Sequence, residues 1–492
     1  MFVRQITLPV SRTKSLNKIV RNIFISVPCN TPKSSNLHST KIPSNLAIKN
    51  QVNYSRFSAT TIMTGTDLFR ISDYDYVGFD LDNTLLQYKV SAMVELEYKT
   101  LSNFMVNTKG YSEKHLIQPL DVDFLQKGLI VDIHRGNLLK ISCDGYILKA
   151  THGTKFMTDN EICDVYGPER MWDVTTEFTR NILVSWIGQY ADTIRTLADY
   201  FDMPSSLVFA RAVDAADEKA GQKLDSYKIW PDVLDGLIHM YTREHFESGV
   251  SDYFNELRAH PELYIHRTKP DVIKFLKKLK EEKTTFLITG SNIDLANLTA
   301  AYCLGEDWRE LFDIVVCFAK KPGFFNGSRP FVKIDGVKET APVDPNDLEL
   351  NRVYSQGNWV DLDFALSKKR SIKNPKMLYF GDNIIQDVYA PTKYTTYDSV
   401  AIVEELLAEG MKDVSETHSD KKLLTSSLWG PYFGTSIHPT IWSEIIREHS
   451  KICIPNVDAI AKNPIDFAYK SFTGERSCRH GFYPNEPEHW SD

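Results

Sequence analysis

An α/β fold, a Rossmann-like parallel sheet interrupted by a large inserted domain, is what this 492-residue sequence predicts, and three observations carry the expectation. Short, nearly unbroken apolar runs recur from Tyr76 onward, and stretches with helical spacing lie between them. Roughly 200 residues part the first run from the second, too many for one crossover connection. The composition agrees. With 42% hydrophobic and 12% aromatic residues the chain can fill a large core, and it is neither disordered nor collagen-like. A formal charge of -7 argues against a general polyanion binder, and no apolar run approaches the roughly 18 residues that a spanning helix needs. Neither nucleic acid nor membrane is an expected partner.

Residues 1–66 carry nine basic side chains, from Arg4 to Arg56, and no Asp or Glu. Ser-rich, with short apolar patches such as Ile23-Phe24-Ile25, this leader reads either as a mitochondrial transit peptide over residues 1–62 or as an untargeted extension ahead of Met63. The second reading leaves the protein cytoplasmic. Both make it intracellular, in keeping with seven cysteines that form no C-x-x-C pair and no disulfide framework.

The first run, Tyr76-Val77-Gly78-Phe79, opens a core expected over residues 67–92 and 265–405, and the stretch 93–264 between them is read as an inserted cap. Pro270 suits a first helical position, and Val272, Phe275, Leu276 and Leu279 follow at i, i+3, i+4 and i+7 with lysines facing water. That surface helix feeds the run Thr285-Phe286-Leu287-Ile288. Ile314-Val315-Val316-Cys317, Met377-Leu378-Tyr379-Phe380 and Val400-Ala401-Ile402-Val403 complete the set, and residues 406–492 are read as a tail packing back on the core.

Chemistry concentrates where the runs end. Phe79 leads into Asp80-Leu81-Asp82-Asn83-Thr84, two carboxylates two residues apart as a strand emerges, and ligands of open parallel sheets sit outside such carboxyl ends. One acid can attack while the other moves protons. A local turn is the plain alternative. A calcium loop is excluded, because the sixth and twelfth positions from Asp80 are Leu85 and Ser91 rather than Gly and Glu. Ile288 leads into Thr289-Gly290-Ser291-Asn292, whose hydroxyls and amides suit phosphate oxygens or a simple helix cap. The third run leads to Lys320-Lys321-Pro322, where a lysine can neutralise phosphate or simply be solvated, and Phe380 leads to Gly381-Asp382 with Asp387 five residues on. Asp80 and Asp382 together would suit a hard cation such as Mg²⁺.

In the order D-x-D-x-T, Thr, Lys and G-D-x-x-x-x-D, these four run ends resemble the motifs of the haloacid dehalogenase superfamily. Gly78 through Leu85, Gly136-Asn137-Leu138-Leu139-Lys140, His152-Gly153, Lys321 through Phe325 and Tyr379 through Asp382 look like the cytosolic purine 5′-nucleotidase family, over about residues 70–490. The resemblance implies a haloacid dehalogenase-like core and a role for each position. Asp80 would be the nucleophile and Asp82 the acid and base. Asp80, the backbone carbonyl of Asp82, and Asp382 would hold Mg²⁺, with Asp387 in support, while Thr289 and Lys321 would hold the phosphoryl oxygens. In the cap, the family's base-stacking Phe corresponds to Phe201, followed by Asp202 where the family has Asn. Leu234, Ile238 and Tyr241 fall where purine-specific members carry Arg, Asp and His. Phe201 and Asp202 remain candidate substrate contacts, though a Phe before Asp-Met-Pro also reads as packing. His134 and His152 read as structural.

The expectation is a Mg²⁺-dependent phosphomonoesterase acting on a nucleoside 5′-monophosphate through an aspartyl phosphate. Alternatives are a non-catalytic nucleotide- or phosphate-binding partner that retains the site, and a phosphatase for a non-nucleotide small molecule. Retention of both Asp80 and Asp82 favours catalysis, since binding alone needs no nucleophile and acid. The expected partners are a small phosphate ester and a second copy of the chain as a homo-oligomer.

Overall fold

The structure, a computed structural model, describes residues 68–186, 188–410, 421–473 and 480–490. The basic leader and the charged stretch 411–420 lie outside the described residues. The apolar runs assemble into one nine-stranded sheet. Its order is Lys338–Val343, Phe331–Asp335, Arg352–Gln356, Ile314–Cys317, Thr284–Ile288, Tyr76–Phe79, Met377–Gly381, Asp398–Ile402 and Ile452–Ile454. From Arg352–Gln356 to Ile452–Ile454 all neighbours are parallel, and only the hairpin at the other edge runs antiparallel. Parallel strands need both faces covered, which is why the central runs carry no polar alternation.

The strand Tyr76–Phe79 sits in the middle. Later strands fill one side of it first and then the other, so the chain reverses direction of assembly next to this strand. That is the switch point where open α/β sheets leave a crevice. Registers align the strand ends there, with Phe79 opposite both Leu287 and Phe380. Close packing across these strands requires glycine at position 78, because a Cβ there would fall 2.0 Å from the Phe286 ring.

The expected helix forms as Pro270–Glu282, burying Val272, Phe275, Leu276 and Leu279. Between Phe79 and Thr284 the chain builds its own antiparallel sheet, ordered Lys155–Phe156, Ile147–His152, Asn137–Ile141, Ile130–Asp132 and Ile194–Thr196. The helices Val90–Asn107, Ser205–Ala220 and Trp230–Tyr241 accompany it. The C-terminal stretch does more than pack on the core, since Ile452–Ile454 is itself the edge strand of the main sheet. Two buried lysines tie the inserted segment to residues beyond 404. Lys127 pairs with Glu405 at 2.8 Å, and Lys140 donates to the carbonyls of Trp429, Gly430 and Pro431. Among the described residues no helix is long and apolar enough to cross a membrane.

Candidate active site

Asp80 is the first residue beyond the central strand, and its N–H donates to the Phe380 carbonyl at 2.8 Å, so the strand pairing itself fixes its position. The chain then turns sharply. The Leu81 carbonyl accepts from the N–H groups of Leu85 and Leu86, with Asn83 at a φ of 52°, a region Asn tolerates better than most residues. Asp80 and Asp82 thereby leave one strand end into different surroundings. The Lys321 ammonium lies 2.9 Å from Asp80 Oδ1. Asp82 instead accepts from the hydroxyls of Tyr88 at 2.9 Å and Ser291 at 2.7 Å, with the Thr289 hydroxyl farther off at 3.4 Å.

Lys321 also meets Asp387 Oδ1 at 2.6 Å and the Tyr379 hydroxyl at 3.3 Å, and that hydroxyl donates to the Ile288 carbonyl. The loops bearing Thr289 and Lys321 are stitched together, since the Thr289 N–H donates to Val316 and the Ala319 N–H donates to Thr289. Asp382 follows the neighbouring strand, and a helical turn over Ile384–Tyr389 returns Asp387 to the same place. The Asn383 side chain caps that turn through the N–H groups of Ile385 and Gln386 and reaches Asp199 of the inserted segment at 3.0 Å. Gly381 is needed where this turn folds back, because a Cβ would lie 2.3 Å from the Asp387 Cβ.

Asp80, Asp382 and Asp387 each offer an oxygen within 4.8 Å of the others. Burial pushes the Asp80 carboxyl up to about 7, against the pull of Lys321. Asp382 is held well above its ordinary range by burial and then by the charges of Asp80 and Asp387. Burial also raises Asp387, with Lys321 opposing. One lysine thus faces three crowded carboxylates. Asp387 is already engaged by Lys321 and by the Asn383 N–H, and no donor among the described residues reaches the Asp382 carboxylate. An acid set with surplus negative charge and all-oxygen donors fits a hard divalent cation, with Asp80 and Asp382 as the available ligands.

Every core residue singled out from the sequence therefore lies in this one crevice. The three-carboxylate cluster takes in Asp387, read beforehand only as support, while the Asp82 carboxylate faces hydroxyls outside it. Phe201 is buried, its ring edge-on to Tyr88 and Tyr241 at 5.6 and 6.1 Å between centroids, and Asp202 is buried beside it. Sequence reasoning missed Tyr88, Tyr379 and Asp199. A tyrosine in a buried run and an aspartate far along the chain give no local signal of what they will touch.

A family model described as the 5′ nucleotidase family matches residues 67–427. The chain is 34% identical over 450 residues to human (Homo sapiens) 5′-nucleotidase domain-containing protein 1, covering 85% of this chain and 96% of that protein. Its Bos taurus counterpart is 34% identical over 449 residues, with the same coverage. Rattus norvegicus 5′-nucleotidase domain-containing protein 2 is 25% identical over 445 residues, spanning 81% of this chain and 76% of that protein.

Proposed function

Because the chain belongs to the 5′ nucleotidase family and is a phosphoric monoester hydrolase, we propose that it hydrolyses a nucleoside 5′-monophosphate through an aspartyl phosphate on Asp80, with Mg²⁺ as cofactor. One observation carries this reading. The ends of neighbouring parallel strands bring together a carboxylate held by lysine (Asp80), a carboxylate held by hydroxyls (Asp82), and a third that no donor reaches (Asp382).

Asp80 attacks phosphorus as the ester P–O bond breaks, and the Asp82 carboxyl gives its proton to the departing alkoxide. In the second half Asp82 takes a proton from water, the resulting hydroxide attacks phosphorus, and Asp80 is released. Tyr88 and Ser291 hold the Asp82 carboxylate in position for both transfers. Lys321 and the Thr289 hydroxyl lie where they can meet the phosphoryl oxygens, and Lys321 favours the ionised form of Asp80 against the burial that raises it. Asp80, the Asp82 carbonyl and Asp382 would hold Mg²⁺, which when bound neutralises charge on the phosphoryl group. In this reading residues 67–92 and 265–405 are the catalytic core, 93–264 the cap and 406–492 a supporting segment.

The test is turnover of p-nitrophenyl phosphate and a nucleoside monophosphate panel, with and without Mg²⁺, beside Asp80→Asn. The expected result is Mg²⁺-dependent release of phosphate by the wild type and none by the variant. A wild type no faster than the variant across the panel would refute the proposal.

A further inference from the structure

Asn383 lies between Asp382 and Asp387 in the chain, and each of its polar groups is engaged. Its backbone N–H donates to Asp387 Oδ2 at 3.3 Å, and its carbonyl accepts from the Asp387 N–H at 2.8 Å. The side-chain oxygen accepts from the N–H groups of Ile385 and Gln386, which leaves Nδ2 to donate to Asp199 Oδ2 at 3.0 Å. The amide cannot be reversed, because only its nitrogen end donates and only its oxygen end accepts. Asn383 thus joins the acid-bearing turn to the inserted segment in one orientation.

Asp199 is itself held firmly. Its Oδ1 accepts from the Asp202 N–H at 3.0 Å and its carbonyl from the Met203 N–H at 3.1 Å, and Asp199 and Asn383 are each 5% exposed. Next to it, the Tyr200 hydroxyl donates to Glu405 at 3.1 Å, beyond a different strand end. From Asp199 the bonds run unbroken through Asn383 and Asp387 to Lys321 and Asp80.

Packing alone does not account for a carboxylate at position 199. Burial, Asp80 and Asp387 raise the Asp382 carboxyl, and the Asp199 charge adds to them while Lys127 opposes. A fourth negative group beside three crowded ones is unfavourable until a cation is present, which turns the same charge into an attraction.

Resting on the Mg²⁺-dependent reading above, we propose that Asp199 is a positioning residue of the inserted segment, acting through Asn383 to hold the turn that bears Asp382 and Asp387 in its cation-binding form. It does so without a hydrogen bond to Asp80, Asp82 or Asp382. Partners of this kind, behind the ligands of a metal, orient the ligands and tune affinity.

The test is calorimetric titration of Mg²⁺ into the metal-free protein, read beside turnover of p-nitrophenyl phosphate. Asp199→Thr, whose single side-chain oxygen can still cap the Asp202 N–H while leaving Asn383 unmet, should bind Mg²⁺ about tenfold more weakly. At saturating Mg²⁺ its kcat should fall about tenfold with KM within about twofold. Asp199→Asn, whose carbonyl can still accept from Asn383, should recover to within about threefold of wild type in affinity. Asn383→Ser keeps an oxygen for the turn and drops the bond to Asp199, so it should match Asp199→Thr, and the double variant should lose nothing further. It also carries the test if Asp199→Thr does not fold. Tyr200→Phe, which loosens the same stretch only at Glu405, should leave Mg²⁺ affinity unchanged. Unaltered affinity in Asp199→Thr and Asn383→Ser, additive losses, no rescue by Asp199→Asn, an equal loss in Tyr200→Phe, or a wild type that takes up no Mg²⁺ would overturn the proposal. Titration and turnover separate the two readings. Mg²⁺ binding that depends on Asp199, with no ester hydrolysed, would sink the phosphatase reading alone, and Mg²⁺-dependent hydrolysis with equal affinities across the variants would sink only the role of Asp199.

Discussion

Asp80 and Asp82 stand two residues apart, yet one looks at an ammonium and the other at hydroxyls, and this difference in partners divides their labour. The same crowding has a consequence for stability without metal. The folded-state pKa of Asp80, about 7, lies above its ordinary value, so neutral Asp80 favours the fold at low pH and that contribution is lost as pH rises from about 4 through 7. Metal-free wild type should therefore lose thermal stability relative to Asp80→Asn over that window, and Mg²⁺ should restore it. Parallel curves for the two proteins would contradict this. Asp80, Asp82, Lys321 and Asp382 are legible in the sequence because each lies within four residues of the end of an apolar run. Tyr88 and Ser291 are not legible in their role, because no motif marks the turn that brings Tyr88 back from six residues on, and Ser291 comes within reach of Asp82 only after two strands pair.

Elements show the same division. The five central strands read plainly as apolar runs because both of their faces are covered. The antiparallel hairpin escapes notice, since Phe331–Asp335 buries only Phe331 and Lys338–Val343 is exposed for most of its length. Ile452–Ile454 escapes too, a three-residue run that becomes a strand only by joining a sheet edge. The turn Ile384–Tyr389 is wound as a π-helix, which carries Asp387 back over Gly381 beside Lys321. Gly381→Ala tests that fold-back. With a Cβ 2.3 Å from that of Asp387, the turn must shift, at a cost of roughly 1–3 kcal/mol in urea denaturation and a much larger loss of turnover. Unchanged activity would mean the turn does not position the acids.

Across the whole molecule, the inserted segment and the residues beyond 404 are held together by charges buried in a largely apolar setting. Lys127 and Glu405 are nearly inaccessible, and the Lys127 ammonium also lies 4.5 Å from the centre of the Tyr200 ring. Lys127→Met should cost on the order of 3–5 kcal/mol by leaving Glu405 unpaired, and adding Glu405→Leu should recover much of it. A double variant as unstable as the single would show that the pair is not the source. The sequence announces the insertion by its length alone, and nothing in it announces this latch, because the partners are far apart in the chain and neither lies in a motif.

The claim at the centre of the account is that the Asp80 carboxylate takes the phosphoryl group. An acyl phosphate is reduced by borohydride to the alcohol, so wild-type protein quenched during turnover, reduced, digested and sequenced by mass spectrometry should carry homoserine at position 80 and at no other aspartate. Turnover with Asp80 unmodified, or homoserine at a different aspartate, would contradict it.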